Sequence, residues 1–124
     1  QLPKQKIAAL KSVMGQRMVQ AADRLSMRES GAIMSCLDLY IGIDTGPSHV
    51  AAGIGVPMVC LFHCARRGPL VLSPVRPVVV TMIEHPCQTE QCSFSISMGD
   101  LQPEPVLAAT LSQLQRIGQG QGAA

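Results

Sequence analysis

One segment of the chain, LYIGIDTGPSHVAAGIGVPMVCLF at residues 39–62, constrains the fold more than any other. Its first five residues are rich in branched and aromatic side chains, which favours a β-strand over residues 39–43. Asp44 ends this strand, Gly46 permits the unusual backbone angles of a strand-to-helix corner, and Pro47 suits the first helical position. The pattern therefore predicts a strand, a tight turn and a helix in immediate succession.

The predicted helix is short, because Gly55 supplies a left-handed stop and Pro57 prevents continuation. A second strand then follows over residues 57–62. The first helical turn is expected to point the free N–H groups of Ser48 and His49 beyond the carboxyl end of the first strand. This arrangement predicts an anion site, and a phosphate is the ligand that suits it.

Helical and strand patterns alternate along the rest of the chain. The predicted helices cover residues 4–13, residues 104–117 and a segment that starts at the Ser26–Glu29 capping box and runs to about residue 36, and the further strands cover residues 18–22 and 78–83. Such alternation predicts an α/β fold, a Rossmann-like parallel sheet with flanking helices. Ligands of such sheets bind at the carboxyl ends of the strands, where the turn after Asp44 lies.

Residues 1–117 are predicted to form one partial domain, and the glycine-rich residues 118–124 a flexible tail. The first residue is Gln1 instead of methionine, so we expect the chain to be a piece of a longer protein. A net charge of +2 and an aromatic content of 2% lack the basic surface and stacking side chains of nucleic-acid binders. The apolar runs fall short of the ~20 residues of a membrane span, and no signal peptide is visible.

The chain has five cysteines, an odd number that favours free thiols in a reducing compartment and predicts a cytoplasmic protein. A structural zinc site is the alternative, and its thiolate and imidazole ligands would come from Cys60, Cys64, Cys87, Cys92, His63 and His85. Three residues separate the first cysteine pair and four the second, and neither pair has the usual two-residue spacing. We therefore expect no metal.

The residues of the turn have the chemistry of a pyrophosphate site, although DTGPSH matches neither GxGxxG nor the phosphate loop of nucleotide triphosphatases. Gly46 permits close backbone approach, Thr45 and Ser48 offer hydroxyl donors, and His49 offers a third donor. Asp44 repels phosphate, so it suits the hydroxyls of an attached sugar or a bracing role. A purely structural turn with capping side chains is the competing interpretation.

The longer segment DLYIGIDTGPSHVAAGIGVPMVCLF, residues 38–62, resembles the donor-binding segment of glycosyltransferase family 9, the bacterial heptosyltransferases. SMRESGAIMSC is similar to the helix that precedes this segment in the family. CQTEQC and LQPEPVLAATLSQL are similar to the cysteine-bearing loop and the final helix. The resemblance covers most of the chain.

This resemblance implies a two-domain GT-B enzyme that transfers heptose from ADP-heptose to lipopolysaccharide core or lipid A, without metal or cofactor. Its C-terminal domain binds the donor, with Thr45, Gly46 and His49 on the pyrophosphate and Asp44 on the sugar. Pro47 and Ser48 complete the donor-binding turn. The catalytic base belongs to the N-terminal domain, so the resemblance implies no catalytic residue in this piece and no activity alone. Peripheral association of the full-length protein with the inner membrane is also expected.

The resemblance is weakest after Phe62, where the family has a glycine-containing loop and this chain has HCARR. Arg66 and Arg67 are candidate phosphate contacts, although a solvated arginine pair is the simpler interpretation. The altered loop motivates an alternative function, a sugar-nucleotide-binding or structural α/β domain without transferase activity. An incomplete sheet with an apolar edge would also favour self-association of this piece.

Overall fold

The computed structural model describes residues 4–62, 80–84 and 98–119. The chain divides into two compact units, Gln1–Ser30 and Gly31–Ala124, which are described separately below. The single domain over residues 1–117, with its flexible tail, stays a prediction. No helix in the described part of the chain is both long and apolar enough to cross a membrane.

The first unit contains helix α1, Lys4–Met14, followed by a short 3-10 helix, Gly15–Arg17. Apolar side chains recur among the lysines of this segment at the spacing of an amphipathic helix. The predicted helix is confirmed. Gly15 lies in the left-handed region with a φ of 56°, which interrupts the α-helical backbone where the sequence predicted its end.

The strand predicted over residues 18–22 is wrong. Met18 is extended, but the chain soon turns, because the Arg24 N–H donates to the Ala21 carbonyl at 3.2 Å. Asp23 takes the left-handed conformation within this turn, with a φ of 59°. The extended run is therefore too short to pair, and no strand of the described residues lies beside it.

Helix α2, Met27–Met34, begins with the predicted capping box. The Ser26 N–H donates to Glu29 Oε2 at 2.8 Å, and the Glu29 N–H donates to Ser26 Oγ at 3.2 Å. Hydrogen bonds from Ser26 favour the ionised form of the Glu29 side chain. The Ser26 backbone N–H, followed by the Ser26 side chain, therefore lowers the pKa of Glu29. The helix ends two residues before the predicted position, where Cys36 and Leu37 donate to carbonyls three residues earlier.

The second unit is built on a three-stranded parallel sheet in the order β1-β2-β3. Its strands are β1, Tyr40–Ile43, β2, Met58–Phe62, and β3, Val80–Glu84. The sheet register places Tyr40 beside Met58 and Met58 beside Val80. Helix α3, Gly46–Ile54, connects β1 to β2, and helix α4, Pro103–Gly118, follows β3. The α/β class with a parallel sheet and flanking helices is therefore confirmed.

The two helices of this unit pack on opposite faces of the sheet. Ala52 of α3 contacts a core formed by Met58 and Cys60, against which Tyr40 and Val80 also pack. Side chains alternate between the faces of a strand, so Thr81 points to the other face. There, α4 packs on β2 and β3 and contacts Thr81 through Gln113. Helices thus cover both faces, as in a doubly wound domain.

The polar residue Gln113 joins α4 to the sheet through hydrogen bonds. Its side chain is fully buried, and Nε2 donates to the Met58 carbonyl at 3.3 Å and to Thr81 Oγ1 at 2.9 Å. One amide group therefore bonds to two neighbouring strands. Buried polar groups of this kind are costly to leave without partners, so the contact fixes how α4 lies on the sheet.

We expect Gln113→Met to lower the free energy of unfolding by about 1–3 kcal/mol, because the Thr81 hydroxyl would lose its buried partner. Gln115→Met is the matched control on the exposed side of α4, and it should change stability by less than about 0.5 kcal/mol. Urea denaturation followed by circular dichroism measures both. Equal losses in the two variants would contradict the proposed contact.

The capping box predicts an acid-dependent step in the stability of the first unit. Folding lowers the pKa of Glu29 below its ordinary value of 4.5, so the carboxylate stabilises the folded unit above that pH. This contribution is lost as the pH falls through the lowered pKa. Ser26→Ala should move the pKa of Glu29 back toward its ordinary value, as measured by NMR titration of the Glu29 side chain. Ser12→Ala, at an exposed position of α1, should leave it unchanged.

Candidate functional site

The turn after β1 lies at the carboxyl edge of the sheet, as predicted. The Asp44 N–H donates to the Leu61 carbonyl at 3.1 Å, which holds the start of the turn beside the end of β2. Thr45 is extended and forms the N-cap of α3, with φ and ψ of −145° and 172°. The chain therefore passes from strand to helix within two residues, at the edge where ligands of parallel sheets bind.

The carboxyl end of helix α3 lies where the sequence predicts. There Gly55 has a φ of 90°, and its N–H donates to the carbonyls of Ala51 and Ala52. At its near end the helix begins at Gly46 instead of Pro47. The prediction that Gly46 takes unusual backbone angles is wrong, because the glycines with positive φ among the described residues are Gly15 and Gly55. The corner is made by the extended Thr45, so Gly46 is already helical.

Gly46 nevertheless borders open space. A Cβ atom built on this residue would meet no other heavy atom within 4 Å. The residue is exposed, and so are its neighbours Thr45 and Pro47. The backbone at the start of α3 is thus accessible to a ligand.

Ser48 lies beneath this surface and is fully buried. Its N–H donates to the Thr45 carbonyl at 3.0 Å, so the expectation that this N–H is free is wrong. The helix begins one residue earlier than predicted, which makes Ser48 its third residue and brings the N-cap carbonyl within reach. The Ser48 hydroxyl donates to the Ile43 carbonyl, and its oxygen lies 3.3 Å from the Tyr40 hydroxyl. Its hydroxyl proton already has an acceptor inside the protein.

The polar side chains of Asp44, Thr45 and His49 face solvent around the start of α3. His49 Nε2 lies 3.9 Å from Asp44 Oδ1, and the two side chains are 50% and 52% exposed. Thr45 makes no side-chain capping bond, and its hydroxyl donates to the Ile43 carbonyl over a long 3.4 Å. Both Thr45 and His49 can therefore turn toward a ligand at small cost.

Of the predicted site residues, Asp44, Thr45, Gly46, Pro47 and His49 thus form one exposed cluster, with Ser48 underneath. Arg66 and Arg67 lie outside the described residues, and their contact with phosphate stays a prediction. Five of the six proposed zinc ligands also lie outside the described residues, and these are Cys64, Cys87, Cys92, His63 and His85. Within the described residues, no group of three metal-ligating side chains comes together.

The sequence analysis missed three residues that support the turn. The Tyr40 ring lies along β1 over Gly42, because a Cβ built on Gly42 would fall about 2.5–2.6 Å from ring atoms Cε1 and Cζ. Cys60, paired with Gly42 in the register, is fully buried, and burial raises the pKa of its thiol. The sequence does contain a signal for the contact between the Tyr40 ring and Gly42. An aromatic residue lies two positions before a glycine, so both are on the same face of the strand.

The opposite face of the sheet carries a separate apolar groove of about 430 Å³. It lies between the sheet and the first turns of α4, and its lining residues are Ile41, Leu61, Leu101, Pro103, Val106, Leu107 and Thr110. The Thr110 hydroxyl already donates to the Val106 carbonyl at 2.8 Å. The groove therefore offers no charged partner for a phosphate, and the turn after β1 remains the better site for an anion.

Comparison with known proteins identifies the family of this chain. Residues 3–97 match the family model described as glycosyltransferase family 9 (heptosyltransferase). Lipopolysaccharide heptosyltransferase 3 of Escherichia coli is 37% identical over 41 residues, which cover 33% of this chain and 12% of that relative. No solved structure matches the chain significantly. Because the family match covers more than half of its residues, the chain belongs to glycosyltransferase family 9, the heptosyltransferases.

Proposed function

We propose that this chain is the donor-binding part of a transferase that moves a heptose from ADP-heptose to the lipopolysaccharide core. The proposal rests on the family and on one structural observation, the open backbone at Gly46 between two solvent-facing donors, Thr45 and His49. A diphosphate needs close backbone approach and several hydrogen-bond donors, and the start of α3 offers both.

The electrostatics of the turn favour the diphosphate end of the donor. The amino end of α3 carries the positive end of the helix dipole, and the His49 imidazole adds a hydrogen-bond donor. Asp44 lies beside His49, 3.9 Å away, and its carboxylate accepts hydrogen bonds from the hydroxyls of the sugar. When the glycosidic bond breaks, negative charge develops on the departing nucleotide diphosphate, and donors already directed at it stabilise that charge. We propose that these residues act without a metal.

The rest of the reaction is assigned to another part of the enzyme. The His49–Asp44 pair of the described turn, 3.9 Å apart, is assigned to the donor and does not supply the base for an acceptor. We therefore place the catalytic base and the lipopolysaccharide site in a preceding N-terminal domain, and we propose a cytoplasmic protein that is peripheral to the inner membrane. Arg66 and Arg67 are further candidates for contact with donor phosphate.

A domain that has lost transferase activity is the alternative function. It is favoured by the sequence after Phe62, where HCARR stands in place of the glycine-containing loop. Bulky side chains in place of a glycine would restrict backbone approach to a ligand. Binding of ADP at the turn, which the next experiment measures, separates the proposed function from a structural α/β domain. A sugar-nucleotide-binding domain without transferase activity would also bind ADP, and it differs in that the full-length protein transfers no heptose.

Gly46→Ala should weaken ADP binding about tenfold or more, because the methyl group would occupy the space of a phosphate against the backbone. Gly53→Ala is the matched control, since it lies in the same helix and its added Cβ also meets nothing within 4 Å. Neither variant should lower stability. Ligand-observed NMR with ADP, and with UDP for comparison, measures the binding. Equal affinities of the two variants would contradict a phosphate at Gly46.

The chain alone should not transfer heptose from ADP-heptose to a lipopolysaccharide acceptor, because the proposed base is not among its residues. Mass spectrometry of the acceptor measures transfer, with a full-length heptosyltransferase as the positive control. Turnover by the chain that disappears in Gly46→Ala would place the whole catalytic machinery here and overturn this part of the proposal.

A further inference from the structure

Tyr40 occupies an unusual position for a residue on the core face of a strand. Its ring lies flat along β1, over the next residue of the same face, and covers the site where Gly42 would carry a side chain. The ring packs against the buried cluster of Ala52, Met58 and Cys60, so its direction is set by the core. The hydroxyl is thereby carried toward the carboxyl end of β1.

The hydroxyl of Tyr40 meets the first turn of α3 at Ser48, 3.3 Å from Oγ. Ser48 has one hydroxyl proton, which it donates to the Ile43 carbonyl. Tyr40 is therefore the donor in its bond to Ser48. The result is a chain of hydrogen bonds from Tyr40 through Ser48 to the end of β1, and each bond polarises the next.

This chain of bonds links the core of the sheet to the binding turn. Ser48 is the third residue of α3 and follows Gly46 and Pro47 directly, while His49 comes next. Any shift of Ser48 moves the Gly46 backbone and the His49 side chain with it, because all of them belong to one helical turn. Tyr40 is partly buried and its hydroxyl bonds to Ser48, so it acts on the turn through that residue.

We propose that Tyr40 is a positioning residue for the donor-phosphate turn, acting through Ser48, and that Gly42 is required because it leaves room for the Tyr40 ring. The inference rests on the proposed function for the identity of the ligand. The packing of the ring and its link to α3 are properties of the protein alone, so they are testable without a ligand.

Gly42→Ala, made in two backgrounds, tests whether Gly42 is required to leave space for the Tyr40 ring. In the otherwise unchanged chain, this substitution should clearly lower the denaturation midpoint, because the new Cβ collides with the Tyr40 ring. In a Tyr40→Leu background the same substitution should be close to neutral. Equal losses in both backgrounds would show that something other than the ring requires the glycine, and would overturn this part of the proposal.

The positioning role is tested by Tyr40→Phe, which keeps the ring and removes the donor. NMR should show altered amide resonances of Gly46 and His49, whereas Thr110→Val, which removes a hydroxyl on α4, should leave them unchanged. ADP affinity should fall about three- to tenfold, as for the loss of one hydrogen bond, under conditions where the variant is fully folded. In a Ser48→Ala background, Tyr40→Phe should cause little further loss, because the Tyr40 hydroxyl then has no Ser48 hydroxyl to act through.

The outcomes separate the two proposals. Unchanged Gly46 and His49 resonances in Tyr40→Phe would overturn the positioning role, whatever the affinity for ADP. Altered resonances together with an unchanged affinity would show that the link exists but does not serve the ligand, which also overturns it. Failure of the unchanged chain to bind ADP would count against the proposed function, while the resonances would still decide whether Tyr40 positions the turn.

Discussion

The packing of α3 on β2 is the contact on which the candidate site depends. Ala51 and Ala52 are fully buried, and their small side chains let the helix approach the strand closely. Met58 and Cys60 fill the space beneath and are also fully buried. Because α3 is only nine residues long, its position on β2 determines where its first turn lies relative to the end of β1. A larger residue at either alanine would displace the helix, and the binding turn with it.

Above this contact, the site separates into a buried and an exposed layer. The Ile43 carbonyl accepts hydrogen bonds from the hydroxyls of both Ser48 and Thr45, although Ser48 is buried and Thr45 faces solvent. The buried Ser48 bond holds α3 to β1. The exposed Thr45 bond is long, so a bond from the Thr45 hydroxyl to a ligand can replace it. The candidate ligand contacts are thus the exposed groups of the turn, because the buried Ser48 hydroxyl already has its partners.

Much of this arrangement could be predicted from the residues. Gly55 and the Ser26–Glu29 capping box act locally, so sequence predicted their roles correctly. The strand over residues 18–22 failed because a short apolar run pairs only where a partner strand lies within reach. Gly46 and Ser48 were misjudged for a related reason. The first residue of a helix depends on which carbonyl is free to accept, and that depends on how the preceding strand is held by its neighbour.

The sequence by itself determined the class of the protein, an α/β chain with a strand, turn and helix in the pattern of glycosyltransferase family 9. It also predicted an anion site at the turn, because glycine, proline and hydroxyl residues have fixed local preferences. Only the tertiary structure decided which of these residues face solvent and which are buried. Burial and long-range contacts are properties of packing between segments, and they show that Ser48 is buried beneath the turn and bonded to the Tyr40 hydroxyl.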